Sequence, residues 1–475
     1  MIADEPGNPT GGKRPKRKKK CKKHCPCCRN LERENKELKL QLQELRDKYY
    51  GRKTKKKQEE LRTAAAPKKK GAPFGHPGWS RKKPDHIDET EIITPTHCRH
   101  CGSADLESTG ITDEEHIQED IVLPKRVVKK FIKKVLRCRK CQSLVRGGKG
   151  KDEMPKSYIG PKAKAWANQL RYEVLIPQHK IRMIFKQLFD MPFVQASVAG
   201  FENQLTDRSE NLYGQIKNAV VGAPSRYADE TGWKESGQGR QLWCVCTLRA
   251  TFFHINESRG SKVIKNILGA SFQGVMITDF YSAYNLIRGK HQKCIPHFLR
   301  IITRKELLFG GEDKRADAFL EEMKLLSLRV MDLFKRRKGT RDYLIHRADV
   351  VSLIRRRLNE PLEHKPLEKW RKQMGKHAKE LTTCLFHPES DSNNNFVERM
   401  LRSSVIMRKI TFGNRSPKGT NNHQVIMSLL QTIKLNHKLP ANIFHQLLVN
   451  PQGVCLDRIM ADGSEKTTRH PPLVH

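Results

Sequence analysis

The segment 226–300 constrains the fold of this chain most, because it contains several short apolar runs with aspartates at the ends of two of them. After an initial strand, residues 241–248 and 251–256 have the alternating β-branched and aromatic residues typical of strands. Residues 259–268 predict a short amphipathic helix, and residues 274–278 form an apolar run typical of a buried strand. The predicted order of three strands, a helix and a fourth strand indicates an α/β domain.

Two aspartates stand on the strands of that order, Asp229 on the first strand and Asp279 directly after the fourth. If these strands are neighbours, both carboxylates project from one end of one sheet, where they repel each other unless a cation lies between them. Mg²⁺ suits such a site because it prefers oxygen ligands and keeps several waters for substrate phosphates. Glu230 is adjacent to Asp229, but neighbouring strand residues face opposite sides, so only one of the two acids enters the site.

A third acid, Glu398, lies on a helix predicted to begin near Ser392 and Asn393, two residue types that cap helix N-termini well. Glu398, Arg402 and Val405 share one face of this helix, so the acid can point into a site while Arg402 reaches a phosphate. A third carboxylate and a second ion would complete a clamp for in-line phosphoryl transfer. Taken alone, however, the segment favours a surface ion pair between Glu398 and Arg402.

Several short motifs follow one another in a specific order and spacing along residues 70–450. They are Gly75-His76-Pro77-Gly78, two cysteine pairs, Ala228-Asp229-Glu230-Thr231, Leu242-Trp243, Asp279-Phe280-Tyr281-Ser282-Ala283-Tyr284, Cys294-Ile295-Pro296-His297 with Arg300, Asn394-Asn395 with Glu398-Arg399 and Leu401-Arg402, Arg408-Lys409 and Phe412-Gly413. In these motifs the chain resembles the transposases of the insertion sequence sixty-six family, which are acid-triad (Asp-Asp-Glu) enzymes with an RNase H-like catalytic core. The extremely basic, cysteine-rich N-terminus departs from that family.

The resemblance implies that Asp229, Asp279 and Glu398 are the catalytic triad and hold Mg²⁺ or Mn²⁺. It implies an enzyme that binds double-stranded DNA at insertion-sequence ends, hydrolyses a strand there and joins the freed 3′-OH to target DNA by transesterification. The residues expected to contact DNA phosphates or to support the active site are His297, Arg300, Arg399, Arg402, Arg408 and Lys409.

Two alternatives to a transposase remain open at this point. Spacing alone would also suit an RNase H-like nuclease or resolvase, which cleaves DNA without joining strands. The alternative from another class is a non-catalytic, zinc-containing DNA-binding regulator derived from such a transposase, in which the acids could be replaced without loss of activity.

The net charge of +41 attracts polyanions and favours a nucleic acid over a membrane as the partner, because no segment combines basic charge with a broad apolar face. No run of about 18 apolar residues predicts a transmembrane helix, and the N-terminus lacks the apolar region of a secretory signal. We therefore expect a cytoplasmic, nucleoid-associated protein if the host is prokaryotic. A nuclear-targeting role for the basic N-terminus is the alternative in a eukaryotic host.

Two Cys-x-x-Cys pairs, Cys98 with Cys101 and Cys138 with Cys141, predict a zinc ribbon over residues 97–150. Four thiolates give the tetrahedral coordination of a structural Zn²⁺. The 36 residues between the pairs exceed the usual spacing, but they include strand-like stretches that can pair as an arm. Buried free cysteines are the alternative.

Residues 1–30 combine glycine, proline and lysine runs, so we expect a disordered basic arm that binds DNA. The arm also holds a crowded group of possible metal ligands, whose spacing is too tight for a standard zinc module: Cys21, His24, Cys25, Cys27 and Cys28. Whether this group binds a metal is left open by the sequence.

Residues 31–50 predict a short coiled coil, with leucines at d positions and Asn35 at an a position, where it would fix the register of two strands. Such a coil would make the protein a homodimer or a higher oligomer, which suits an enzyme that must hold two element ends together. A single solvated helix is the alternative, because the repeat is short. Residues 51–96 are broken by proline and glycine and predict a basic linker.

Residues 151–224 predict helices. These form either a helix-turn-helix, in which the helix that begins at Val194 would contact the DNA bases, or a purely structural bundle. The other predicted segments are residues 225–300 as the first part of the core, 301–385 as a helical insertion, 386–450 as the last part with Glu398, and 451–475 as a disordered tail. The predicted fold class is a multidomain α/β protein. Its RNase H-like core, a mixed sheet with helices, is interrupted by the insertion and preceded by the coiled coil, zinc ribbon and helical domain.

Overall fold

The computed structural model describes residues 126–461 except 156, 312 and 337, together with residues 33, 36, 37, 86, 87, 90, 92, 96, 100–105 and 107. The chain forms two compact units, residues 1–123 and 124–475, and the elements below belong to the second unit. In the first unit, Arg33, Lys36 and Glu37 are helical and Cys101 lies in a turn. The predicted basic arm, most of the coiled coil and linker, Cys98 and the tail after residue 461 lie outside the described residues.

The second unit begins with a small hairpin and a helical region. Strands β1 (Val135–Arg137) and β2 (Leu144–Arg146) pair antiparallel across the turn that holds the second cysteine pair. Four helices follow: α1 (Pro161–Tyr172), α2 (Gln178–Phe189), α3 (Gln195–Asp207) and α4 (Glu210–Gly222). Helices α1, α2 and α3 enclose a small apolar cluster that includes Phe185 and Phe201.

A mixed five-stranded sheet forms the centre of the unit. Its strands are β3 (Ser225–Glu235), β4 (Gln238–Cys246), β5 (Thr251–Asn256), β6 (Ser271–Thr278) and β7 (Arg288–Lys293), and helix α5 (Ser261–Leu268) precedes β6. The strand order is β5-β4-β3-β6-β7. Strands β3, β4 and β5 are antiparallel neighbours joined by short turns, whereas β6 and β7 run parallel to β3. This mixed sheet with helices confirms the predicted α/β class.

A group of helices with its own apolar core separates β7 from the last part of the chain. It comprises α6 (Ile295–Phe309), α7 (Lys314–Lys335), α8 (Arg341–Asn359) and α9 (Lys365–Gly375). Its buried side chains include Phe298, Phe319 and Trp370 and form a cluster distinct from the one around the sheet. The sequence predicts that the insertion starts at residue 301, but this residue lies inside α6. The insertion starts earlier, at Ile295, because Ile295 and Phe298 already belong to its apolar core.

The helices that follow the insertion, α10 (Asn395–Thr411), α11 (Pro417–Leu435) and α12 (Pro440–Val449), return to the sheet. Helix α11 lies along the edge strand β5 and accepts hydrogen bonds from its backbone. The N–H groups of Thr251, Phe253 and Ile255 donate to Thr432 Oγ1, Ser428 Oγ and Gln424 Oε1 at 3.0, 2.8 and 2.9 Å. The spacings match because two strand residues span about 6.6 Å and four helical residues about 6 Å. An edge that would otherwise attract another strand is thereby covered.

The chain stays folded for ten residues beyond Pro451, where the sequence predicts a disordered tail. The short helix α13 (Leu456–Met460) buries Leu456 and Ile459 in the core around the sheet. Arg249 donates a hydrogen bond to the carbonyl of Met460. The prediction of disorder is therefore wrong for residues 451–461. The sequence gives no signal for this helix, because a single helical turn with two apolar residues is too short to show a period.

Candidate active site

Asp229 and Asp279 lie on neighbouring parallel strands at the centre of the sheet. In the register of β3 with β6, Tyr227 lies opposite Ile277. Continuing that register by two residues sets Asp229 opposite Asp279, which follows the last residue of β6. Residues opposite each other on adjacent strands point to the same face of the sheet. The structure therefore brings the first two predicted acids together.

The carboxyl group of Asp229 lies in an environment that opposes its ionisation. Burial is the largest cause, and the negative charges of Asp279, Glu230 and Glu398 add to it, so that the pKa of Asp229 rises from 3.8 to about 8. A single backbone N–H, that of Glu230, donates to Asp229 Oδ1 at 2.9 Å and partly offsets this effect. Asp279 Oδ1 accepts from the N–H of Tyr281 at 2.8 Å. A cation beside the pair would favour the ionised form of Asp229.

The third acid, Glu398, lies in the first turn of α10, which packs against β3. Its Oε1 atom is buried and has no hydrogen-bond partner in the structure. His297 Nε2 lies 3.7 Å from this oxygen. Burial, followed by the positive charge of Arg300, lowers the pKa of His297 and disfavours a charged imidazolium beside Glu398. His297 stands on the first turn of α6.

The three acids share one electrostatic environment, since Glu398 contributes to the raised pKa of Asp229. Within the part of the chain that the structure describes, no three His, Cys, Asp or Glu side chains are grouped closely enough to hold one metal ion. The residues nevertheless fit a divalent cation, because the charged form of Asp229 is disfavoured and the Oε1 of Glu398 is a buried acceptor without a partner.

Glu230 points away from Asp229, to the other face of β3, as strand alternation predicts. Its Oε1 accepts from Arg259 Nε and Nη2 at 3.0 and 2.7 Å, and its Oε2 accepts from the hydroxyl of the buried Tyr284. The guanidinium of Arg259 also lies over the ring of Tyr281, 4.2 Å from the centroid. Both carboxylate oxygens of Glu230 are therefore hydrogen-bonded to Arg259 or Tyr284. The register of β3 with β6 leaves Asp229 as the acid of β3 that faces Asp279.

The predicted basic residues of the site fall into two groups. Those with exposed side chains are Arg300, Arg399, Arg402 and Lys409. Arg408 is half-buried, and its Nη1 donates to the carbonyl of Gly232 and, at 3.4 Å, to the hydroxyl of Thr231. Arg408 thus ties α10 to β3 and supports the placement of Glu398.

Lys293 is a candidate functional residue that the sequence does not single out. It is fully buried at the end of β7, and its Nζ donates to Thr278 Oγ1, the carbonyl of Asp279 and Asn285 Oδ1 at 3.3, 3.1 and 2.8 Å. These three acceptors engage the side-chain nitrogen directly behind Asp279, while burial lowers the pKa of Lys293 from its usual value. A polar strand such as β7 gives no apolar alternation, which is why the pattern of the sequence does not mark this lysine.

The two cysteines of the predicted zinc ribbon in this unit lie in the turn between β1 and β2. The N–H of Cys138 donates to the carbonyl of Ser143, and the N–H of Gln142 donates to the carbonyl of Cys138, both at 2.8 Å. Hydrogen bonds from Ser143 and Cys138 lower the pKa of the Cys141 thiol to about 7. The turn therefore presents two thiols close together, one of them readily ionised. Of the other two cysteines, Cys98 lies outside the described residues and Cys101 belongs to the first unit.

A mixed sheet with paired aspartates at its centre is compatible with the catalytic core of a transposase. Comparison with protein families identifies the chain more closely, because the family model described as Transposase IS66 family matches residues 156–422, more than half of the 475 residues. The chain belongs to this family, which confirms the resemblance of its motifs. The family supports a transposase function, DNA binding and the use of a divalent metal in general terms. No curated protein matches the chain.

A membrane-spanning role gains no support from the helices. None of those that the structure describes combines the length and the apolar character that crossing a bilayer requires.

The raised pKa of Asp229 predicts a pH dependence of stability in the metal-free protein. A carboxyl whose folded-state pKa exceeds its unfolded value stabilises the fold fully below the unfolded pKa and loses that contribution as pH rises through the folded pKa. The free energy of unfolding in EDTA should therefore fall more steeply in wild type than in Asp229→Asn as pH rises from 3.8 to about 8. Urea titrations across this range measure it, and parallel curves would show that Asp229 does not hold a proton in the folded state.

Proposed function

We propose that this chain is a DNA transposase that binds insertion-sequence ends and catalyses metal-dependent strand cleavage and strand transfer. The observation that carries this proposal is the placement of Asp229 opposite Asp279, with Glu398 on a helix that packs against the same strand. We assign these three acids as the catalytic triad and as the ligands of Mg²⁺ or Mn²⁺. Membership of the Transposase IS66 family supports the assignment.

The core that holds the triad is proposed to be RNase H-like, as the motifs of the sequence imply. In support, Asp229 lies on β3, which is the first strand of the mixed sheet in chain order. Asp279 directly follows β6, the fourth strand in chain order, and the third acid lies on a later helix. The helical insertion between β7 and α10 separates the third acid from the other two in the chain. The proposed core therefore consists of two segments, residues 225–294 and 386–450, because the insertion begins with α6 at Ile295.

In the proposed reaction, the chain holds a DNA strand with its scissile phosphate beside the triad. Ions bound to the triad would stabilise charge on the attacking and leaving oxygens. Water first attacks the phosphate and releases a 3′-OH, which then attacks a phosphodiester of the target DNA. In the first step the oxygen of water replaces the 3′ oxygen at phosphorus and leaves a 5′-phosphate on the other fragment. In the second step the freed 3′-OH replaces the 3′ oxygen of a target nucleotide, which departs as a new 3′-OH. Neither step needs a bond to the protein. Lys293 fixes the backbone of Asp279 during both steps.

Double-stranded DNA, both element ends and target, is the proposed partner. The net charge of +41 favours a polyanion, and exposed basic side chains on α6 and α10 are suited to phosphates. We assign this role to Arg300, Arg399, Arg402 and Lys409, with His297 and Arg408 as supports of the site. A homodimer or higher oligomer would hold two element ends together, on nucleoid DNA in the cytoplasm of a prokaryotic host.

Plasmid nicking and joining with Mn²⁺ or Mg²⁺ tests the proposed chemistry. Wild-type protein should nick and join a plasmid that carries the element's own ends, and only when a divalent ion is present. Asp279→Asn and Glu398→Gln should each lower the cleavage rate by about 10³-fold or more, because each removes one ligand of a set that acts as a unit. The rates are read from gel separation of nicked and joined products.

Glu363→Gln is the matched control, since Glu363 is an exposed acid of the insertion that pairs with Arg315 at 2.8 Å. It should cleave as fast as wild type. Tight DNA binding without metal-dependent cleavage on such a plasmid would instead identify the non-catalytic regulator. Cleavage without any joined product would identify a nuclease.

We also propose that Cys98, Cys101, Cys138 and Cys141 hold a structural Zn²⁺. The support is the tight turn that presents Cys138 and Cys141 and the lowered pKa of Cys141, because thiolates are the form that binds zinc.

Metal analysis of the purified protein tests this zinc site. Wild type should contain about one zinc per chain, and Cys141→Ser should lose most of it because three thiolates bind more weakly than four. Cys455→Ser is the control, since Cys455 is another exposed free cysteine and should not alter the zinc content. Equal zinc in all three proteins would exclude Cys141 as a ligand.

A further inference from the structure

Asn394 stands immediately before α10, four residues ahead of Glu398, and is fully buried. An asparagine at this position usually accepts a hydrogen bond from the first turn of its own helix. Asn394 makes no such bond, and its Nδ2 donates instead to the carbonyl of Ala228 at 3.1 Å. Because Ala228 precedes Asp229, the side-chain amide connects the helix of Glu398 directly to the strand of Asp229.

A second connection runs from the same residue to the strand of Asp279. The backbone N–H of Asn394 donates to Cys294 Sγ at 3.3 Å. The N–H of Cys294 donates in turn to the carbonyl of Thr278, the residue before Asp279, at 2.8 Å. Asn394 and Cys294 therefore join all three segments that carry an acid.

The orientation of the Asn394 side chain is unfavourable for the helix itself. Its Oδ1 atom is buried and has no hydrogen-bond partner in the structure. Capping α10 would have used this oxygen, and a buried acceptor without a partner lowers stability. Asn394 thus forms a bond to β3 instead of capping its own helix. This arrangement indicates that its side chain serves to fix the distance between α10 and β3.

We propose that Asn394 and Cys294 form a clasp that sets the spacing of the three acids, and that both are positioning residues for the divalent ion. Neither residue touches DNA or metal in this role. The inference rests on the proposed function, because it takes Asp229, Asp279 and Glu398 as the metal ligands. Residues that orient metal ligands typically change metal affinity by about 10- to 100-fold when they are replaced.

Variants of the clasp test this role. Asn394→Ser removes the bond to Ala228 but keeps a residue type that caps helices, and Cys294→Ala removes the acceptor for the Asn394 N–H. Each should raise the Mn²⁺ concentration for half-maximal plasmid nicking by about 10-fold or more, with the KM for DNA unchanged. Cys294→Ser, which keeps an acceptor, should restore the wild-type Mn²⁺ dependence. Mn²⁺ binding to the protein without DNA, followed by electron paramagnetic resonance, should weaken in the same variants.

Asn436→Ser is the matched control for stability. Asn436 is also buried, and its Nδ2 donates to the carbonyls of Arg249 and Thr432 at 2.8 and 2.7 Å, so it ties α11 to the turn between β4 and β5. Its replacement should lower the Tm about as much as Asn394→Ser does, while Mn²⁺ binding and the Mn²⁺ dependence of nicking stay at wild-type values.

The outcomes separate the clasp from the proposed function. If Asp279→Asn abolishes nicking but Asn394→Ser and Cys294→Ala bind Mn²⁺ as wild type does, the triad stands and the clasp is overturned. The clasp is also overturned if Asn436→Ser weakens Mn²⁺ binding as much as Asn394→Ser. If Asp279→Asn nicks as well as wild type, the proposed function fails and the clasp has no site to position.

Discussion

The repulsion between two half-buried carboxylates at the ends of neighbouring strands is the interaction on which the rest of this structure depends. Asp229 and Asp279 face the same side of the sheet, and burial together with the neighbouring acids raises the pKa of Asp229 to about 8. The sheet resists this repulsion because β3 is its central strand and is paired on both sides. Lys293 donates a hydrogen bond to the carbonyl of Asp279, and Arg259 and Tyr284 bind the two carboxylate oxygens of Glu230, the acid next to Asp229. The surrounding residues therefore disfavour ionisation of both carboxyl groups together, and a divalent ion between them would favour the ionised forms.

The third acid reaches this site by long-range contacts, because an entire helical insertion separates it from β7. The insertion has its own apolar core, so its helices fold without filling the core around the sheet. Helix α10 is then held against β3 at two points, by Arg408 on Gly232 and by Asn394 on Ala228. Helix α11 covers the edge strand β5 and fixes the end of the chain that follows. The position of Glu398 thus depends on backbone carbonyls of β3 more than on the residues beside it in sequence.

The sequence predicts the parts of this arrangement that local patterns encode. Alternating apolar residues predict β4 and β5, and an acid at the end of an apolar run predicts the placement of Asp279. Glu398 is proposed as the third acid on the basis of family resemblance, since a Glu and an Arg four residues apart on a helix are also an ordinary surface pair. Lys293 and Asn394 escape prediction because their roles depend on carbonyl groups of distant strands, which no local period records. The helix α13 is missed for a different reason, as one turn is too short to show amphipathic spacing.

Iron(II)-directed cleavage of the protein backbone tests most directly whether the three acids share a metal ion, and it needs neither DNA nor catalysis. Fe²⁺ bound in place of Mg²⁺ generates hydroxyl radicals with ascorbate and peroxide, and these cut the chain close to the ion. If the acids share an ion, mass spectrometry should locate cuts near Asp229, Asp279 and Glu398 together. Excess Mg²⁺ should suppress all three cuts, and Asp279→Asn should not show them. Cuts confined to other parts of the chain, or cuts near one acid alone, would contradict a shared metal site.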